Sequence, residues 1–222
     1  MRDTFLSGYN TMSEEDRKKV DIQAYVPYFR NFHLFLGISF LIGGIALYFF
    51  VSENAGGVFL AFYPIIAYIY FTATSSRFSK GQSKKWNKVA VGILGASLLL
   101  VMGLLAAGFK ENKLVVDSTS VSFNGSYGEK LGIEEIQTVR LVNQLPPIAL
   151  KKNGFALGTI NKGYFGTKDG ETVKLILNSD NKPIILVTKT NGKKIYYSAK
   201  DQSNVEIVEE MKQKLPTLSY EK

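Results

Sequence analysis

Three long runs without a single Asp, Glu, Lys or Arg occupy the first half of this 222-residue chain: residues 31–52, 54–76 and 89–109. A bilayer core of about 30 Å needs about 20 apolar residues in a helix that rises ~1.5 Å per residue, and each run reaches that length. No comparable run follows Phe109. The chain is therefore expected to be an α+β membrane protein, with three transmembrane helices followed by a domain solvated by water.

Four segments follow. Residues 1–30 read as an amphipathic arm. Ser13 before Glu14, Glu15 and Asp16 is a helix start, with a hydroxyl to cap free N–H groups and acids at the positive end of the macrodipole. A surface helix over 14–25 is expected, then a corner at Val26–Pro27, because proline disfavours helical geometry in the residue before it. Residues 31–109 form the membrane domain. Its first two spans are separated only by residues 52–56, which predicts a tight hairpin, and Pro64 is expected to kink the second. On the third, Gly92, Ala96, Gly103 and Ala107 fall near one face, and small residues let helix backbones approach closely in lipid. That face is expected to pack inside the bundle or, alternatively, against a second copy. Residues 110–216 form the third segment and 217–222 a short tail.

Lysine and arginine bias sets orientation. Ten basic residues flank the spans on the side of the N-terminus and second loop (residues 2–30 and 77–88), against Lys110 and Lys113 on the other. The N-terminus is thus expected in the cytoplasm and the C-terminal domain outside it. Trp86 fits an interfacial anchor.

After residue 112 the pattern changes to short β-prone stretches divided by turn signals. Asn124-Gly125, Asp169-Gly170 and Asn191-Gly192 suit the positive φ of tight hairpins. In residues 172–177, Val173, Leu175 and Leu177 alternate onto one face. Leu145-Pro146-Pro147-Ile148 is stiff and apolar, suited either to a docking edge or to a lid over the sheet. Ser203 and Glu206 have capping-box spacing, and Val205, Val208, Met211 and Leu215 give a closing helix an apolar face. Seven or so antiparallel strands and one helix suggest a curved sheet or barrel.

Chemistry is sparse. The chain has no cysteine, which excludes disulfides and thiolate sites, and its one histidine, His33, is too few for a metal site or triad. Glu134-Glu135 and Glu209-Glu210 read as solvated faces. The spans hold no Asp, Glu, Lys or Arg, which argues against a transport path. The net charge of +8 is spread over both halves, ten basic against six acidic residues up to Phe109, whereas nucleic-acid binding would concentrate it. Neither catalysis, nor a cofactor or metal, nor nucleic acid is expected. The richest stretch of the tail is the glycine- and lysine-bearing segment 151–170. It is read as a loop, either purely structural or a basic rim for lipid headgroups or a partner, with Lys151, Lys152, Asn153, Phe155, Lys162, Tyr164 and Lys168 as the candidate interaction rim. A phosphate cradle is disfavoured because the segment leads into a strand and not a helix.

Residues Asn153-Gly154-Phe155-Ala156-Leu157-Gly158, Lys162-Gly163-Tyr164-Phe165 and the closing helix resemble a bacterial pleckstrin-homology-like domain over residues 112–216. The resemblance implies a small antiparallel sheet or barrel capped by a C-terminal helix, and a binding rather than catalytic role. The segment Ser7-Gly8-Tyr9-Asn10-Thr11-Met12-Ser13 resembles a second bacterial family, a small multi-span membrane domain of unknown function with a Gly-Tyr-Asn-Thr-Met-Ser signature. Members of that family usually carry an apolar helix before the signature, and only six residues precede Ser7 here.

The leading expectation is a non-enzymatic protein of the bacterial cytoplasmic (inner) membrane. Its partners are the lipid bilayer and a protein or envelope component held by the tail, with a homo-oligomer as a further association. The alternatives are a sensor or immunity-type membrane protein whose spans are the active element, and a small transporter subunit. A reporter fused after Lys222 should be active only outside the cytoplasm; activity confined to the cytoplasm would reverse the topology.

Overall fold

The computed structural model describes residue 9, residues 12–80 and residues 82–221, without the side chains of residues 82–84. These fall into two compact units, Met1–Gly103 and Leu104–Lys222.

In the first unit, helix α1 (Glu14–Arg17) is capped by the Ser13 hydroxyl, which accepts from the Asp16 N–H at 3.2 Å. The helix ends at Arg17 instead of running to 25. The next residues are drawn into backbone pairing with the second loop. Val20 bridges Ser79, the Asp21 N–H donates to the Phe78 carbonyl at 2.9 Å, and the Lys80 N–H donates to Lys19 at 3.1 Å. The corner therefore lies at residues 18–21. Asp21 then caps α2 (Ile22–Phe50) by accepting from the Ala24 N–H at 3.1 Å. Pro27 sits inside α2, not at its start, in the early turns where a lost N–H costs one bond.

Val51 and Ser52 turn the chain into α3 (Glu53–Ser75), where the Ser52 hydroxyl accepts from the Ala55 N–H at 3.0 Å. Pro64 lies within α3 without ending it. A 3-10 turn (Ser76–Phe78) leads to α4 (Gln82–Phe109). All three long helices have the length and apolarity to cross a membrane. Leu34, Phe35, Phe49, Phe50, Leu99 and Leu100 are largely exposed, which water would penalise and lipid would not.

Four polar links join α2 to α3 among the described residues, one of them at the hairpin end, where the Tyr48 hydroxyl donates to the Glu53 carboxylate at 3.2 Å. Tyr63 donates to Ser39 at 2.5 Å, while Ser39 donates to the Phe35 carbonyl. Tyr28 donates to Thr74, which in turn donates to the Tyr70 carbonyl. His33 Nδ1 donates to the Phe29 carbonyl at 2.8 Å, so Nε2 is the acceptor for the Tyr68 hydroxyl at 3.2 Å. His33 is thus a structural latch. Around it Tyr28 stacks on Phe71 with centroids 5.5 Å apart, and the Arg77 guanidinium lies 4.9 Å over the Tyr28 ring.

Among the described residues, nothing packs on the small-residue face of α4. A Cβ added at Gly92 or Gly103 would meet nothing within 4 Å, and Ala96 and Ala107 are exposed.

The second unit contains β1 (Leu114–Val116), β2 (Ser120–Phe123), β3 (Lys130–Gly132), β4 (Ile136–Val142), β5 (Ile148–Leu157), β6 (Ile160–Thr167), β7 (Thr172–Leu177), β8 (Ile184–Lys189), β9 (Lys194–Ser198), α5 (Asn204–Lys214) and β10 (Tyr220–Glu221). Strands β1–β3 form one antiparallel sheet. The other seven form a sheet ordered β10-β4-β8-β9-β7-β6-β5. It is open, with β5 at one edge, and it is mixed: β7–β9 and β10–β4 are parallel. Of the two forms expected, sheet or barrel, the domain takes the sheet, mostly antiparallel with two parallel pairings. The Asn191-Gly192 hairpin folds β9 back between β8 and β7, so β9 meets β7 in the same direction.

Both faces of the large sheet are covered. Val173, Leu175 and Leu177 share one face, as their alternation requires, with Leu186 and Tyr196. Leu145 and Ile148 pack on that face, so the Pro146-Pro147 segment serves as a lid. The other face (Ile176, Ile185, Val187, Ile195, Tyr197) is closed by β1–β3 and α5. In α5 the buried residues are Asn204, Ile207, Val208 and Met211, with Leu215 at its end; Val205 faces out. The Ser203 hydroxyl makes no cap bond. The helix start is fixed by Asn204, whose Oδ1 accepts from the Ala199 N–H at 2.9 Å and whose Nδ2 donates to the Pro183 carbonyl at 2.8 Å.

Residues 110–114, where the chain leaves α4, are clamped into this unit. The Asn112 N–H donates to Asn178 Oδ1 at 2.8 Å, and Asn178 Nδ2 returns a bond to the Asn112 carbonyl at 2.8 Å. Tyr197 also donates to that carbonyl at 3.1 Å and accepts from the Leu114 N–H at 3.2 Å. Replacing Asn178 by Ala would strand a buried N–H, at a cost of about 1–3 kcal/mol per unsatisfied group. Thermal unfolding of the detergent-solubilised N178A chain should show a clearly lowered midpoint for the β domain; an unchanged midpoint would contradict the clamp.

Candidate functional site

Segment 151–170 is a β-hairpin, not a loop: β5 and β6 run through it and turn at Gly158-Thr159. Gly154 and Gly163 pair across the two strands at φ +159° and +127°. A Cβ on Gly163 would lie 2.6 Å from the Gly154 Cα, so the spacing of these glycines reports a close backbone approach.

The hairpin divides the seven candidate rim residues. Lys151, Lys152, Asn153, Tyr164 and Lys168 are exposed. Phe155 is half-buried, its ring 5.7 Å from that of Phe109 and filling the space beside Gly108. Lys162 leaves the rim altogether. It is 1% exposed, and its ammonium donates to the Lys110 carbonyl at 2.5 Å, just past the end of α4. Burial pushes Lys162 down to about 8, partly opposed by the nearby Glu111 carboxylate. A cation at that position complements the negative end of a helix dipole. No spacing in the sequence distinguishes this lysine from its exposed neighbours.

Pairing across the sheet assembles a site that the sequence does not show as a cluster. Tyr164, Lys174 and Ile195 lie side by side on β6, β7 and β9. With Glu129 from the β2–β3 turn, Lys189 from β8 and Lys193, they line a cavity of about 340 Å³. Glu129 is its pivot, accepting from Lys174 at 2.5 Å and from Lys189 at 2.9 Å. Burial raises the Glu129 carboxyl, but hydrogen bonds and charge from the two lysines outweigh it and hold the group below the usual carboxylate value. Lys152 reaches in from the edge strand, packing over Gly166 and donating to the Thr172 hydroxyl at 2.6 Å. Lys194, also at the wall, is neutralised by Glu171 at 2.7 Å. Lys174 lies 5.1 Å from the centre of the Tyr164 ring, and the Tyr127 ring stands edge-on to Tyr164 at 6.3 Å. Of the expected rim, only Lys152 and Tyr164 belong to this cluster. Glu129, Lys174 and the Lys189/Lys193 pair come from separate stretches of sequence and carry no motif.

Residues 2–79 match a family model described as a domain of unknown function, DUF3784. The match takes in the arm, α2 and α3, and stops before α4 and the β domain. Of the signature in the arm, Gly8, Asn10 and Thr11 lie outside the described residues. No curated protein and no solved structure matches the chain.

The depressed value of Lys162 has a testable sign. Between pH about 8 and 10.5 the unfolded chain keeps a proton on this lysine that the folded chain has lost, so stability gains with rising pH there. Lys162→Met should remove that gain from the pH dependence of the unfolding midpoint. Identical pH profiles for K162M and the unaltered chain would contradict the assignment.

Proposed function

We propose that this is a non-enzymatic protein of the bacterial cytoplasmic membrane in which three helices anchor a binding module formed by residues 110–216. The single observation that carries the reading is the open lysine-lined cavity on a domain that otherwise closes its own core on both faces of the sheet. Three helices of spanning length, followed by a strand-rich domain ending in one helix, support an anchored module of pleckstrin-homology-like kind. The charge bias puts the N-terminus in the cytoplasm and the module outside it, facing a protein or envelope component.

A second reading makes the spans the active element and the β domain their regulator. It is favoured by the family match, which covers the arm and the first two spans and not the module, and by the small-residue face of α4, free to meet a second copy. Both are tested on the full chain by affinity capture from native membranes in mild detergent. Lys151→Glu combined with Tyr164→Ala, at exposed positions, should abolish retention of the partner without moving the unfolding midpoint. Gly92→Leu with Gly103→Leu should leave retention intact. The reverse pattern would replace the first reading by the second.

A further inference from the structure

The cavity beside Glu129 has more positive charge than its own carboxylate can balance. Lys174, Lys189 and Lys193 line it from β7, the end of β8 and the β8–β9 turn, Lys152 stands beside it on β5, bonded to the lining Thr172, and Glu129 is the one acid bonded to any of these four among the described residues. Lys174 is 8% exposed, so its ammonium is held at the floor and not free to be solvated elsewhere. Lys194 adds nothing to the excess, because Glu171 pairs with it and Asp169 lies near.

We infer that this cavity binds a phosphate monoester group, with Glu129 acting as the resident anion that holds the floor lysines in place. The inference deepens the proposed binding role by naming the ligand chemistry at that site. Three lines converge on phosphate. The excess calls for a dianion, and a phosphate monoester carries about −1.5 to −2 near neutrality. The cationic donors are all lysines, compact charges with rotatable N–H groups that suit a tetrahedral oxyanion; a planar carboxylate is better met by the fork of an arginine, and no arginine lines the cavity. The volume of about 340 Å³ exceeds what a phosphate needs, and the Tyr164 ring and Thr172 hydroxyl border the remainder, a place for the organic part of the ester. Two sources share this chemistry, a soluble phosphate ester and a monoester lipid headgroup.

Amine acylation of Lys152 and Lys193, read by mass spectrometry, tests the site on the full chain. In mild nonionic detergent, glycerol 3-phosphate at constant ionic strength in chloride should protect both lysines saturably. Lys193→Gln should raise the concentration for half-protection of Lys152, and Lys152→Gln that for Lys193, each by about five-fold, as expected for one charge pair of order 1 kcal/mol. Glu129→Gln should shift it the opposite way by a similar factor, because the competing carboxylate is gone; a purely structural ion cluster would lose stability without any tightening. If Glu129→Gln fails to fold, the two lysine variants still decide the matter. In nanodiscs without added ester, protection with phosphatidic acid and none with phosphatidylcholine alone would assign the source to a lipid headgroup. Protection by neither source, or protection indifferent to K193Q and K152Q, overturns the site. That result would leave partner capture through Lys151 and Tyr164 standing or falling on its own measurement.

Discussion

The β domain depends on how the chain is held as it leaves α4. Residues 110–114 have no sheet partner until β1 begins, and Asn112 is fully buried. A buried backbone without partners is costly. The structure meets this with side chains: Lys162 takes the Lys110 carbonyl, Asn178 takes both polar groups of Asn112, and Tyr197 bridges the Asn112 carbonyl and the Leu114 N–H. These three residues lie on β6, just after β7 and on β9. The clamp therefore exists only once the parallel β7–β9 pairing is in place, and it fixes where β1 starts and how β1–β3 close over the sheet.

The same constraint explains why polar residues occupy a sheet buried on both faces. At one end of the face that carries Ile176 and Ile195, Lys162 and Asn178 serve the clamp. Toward the other end, Lys174 and Glu129 serve the cavity. Between them the sheet is apolar. Lys162, Asn178, Lys174 and Glu129 each have a bonded partner, so their desolvation is offset locally.

Some of this was legible in the residues. The three spans follow from length and missing charge, and the alternation of Val173, Leu175 and Leu177 marks one sheet face correctly. The Asn-Gly and Asp-Gly turns fall where the hairpins turn. Other readings failed for identifiable reasons. The arm helix stops at Arg17 because residues 19–21 pair with 78–80, a contact between distant segments. The glycines of 154 and 163 look like a flexible loop and instead mark a tight strand pair. Ser203 and Glu206 have the spacing of a cap, but the Ser203 hydroxyl makes no cap bond, and the helix start is tied down instead by Asn204 bonding to Ala199 and Pro183 beside β9 and β8. Leu145 and Ile148 fitted either a docking edge or a lid, and only the covered sheet face chose between them.

Length, charge distribution and periodicity by themselves determined the partition into lipid-compatible helices and a water-solvated strand-rich domain, because solvent preference acts on each segment independently of its neighbours. Strand order, the mixed sheet, the buried Lys162 and the four lysines around Glu129 were decided by tertiary structure alone. They arise from residues dozens of positions apart that strand register brings to the same face, and register is a property of the assembled sheet, absent from any one of its strands.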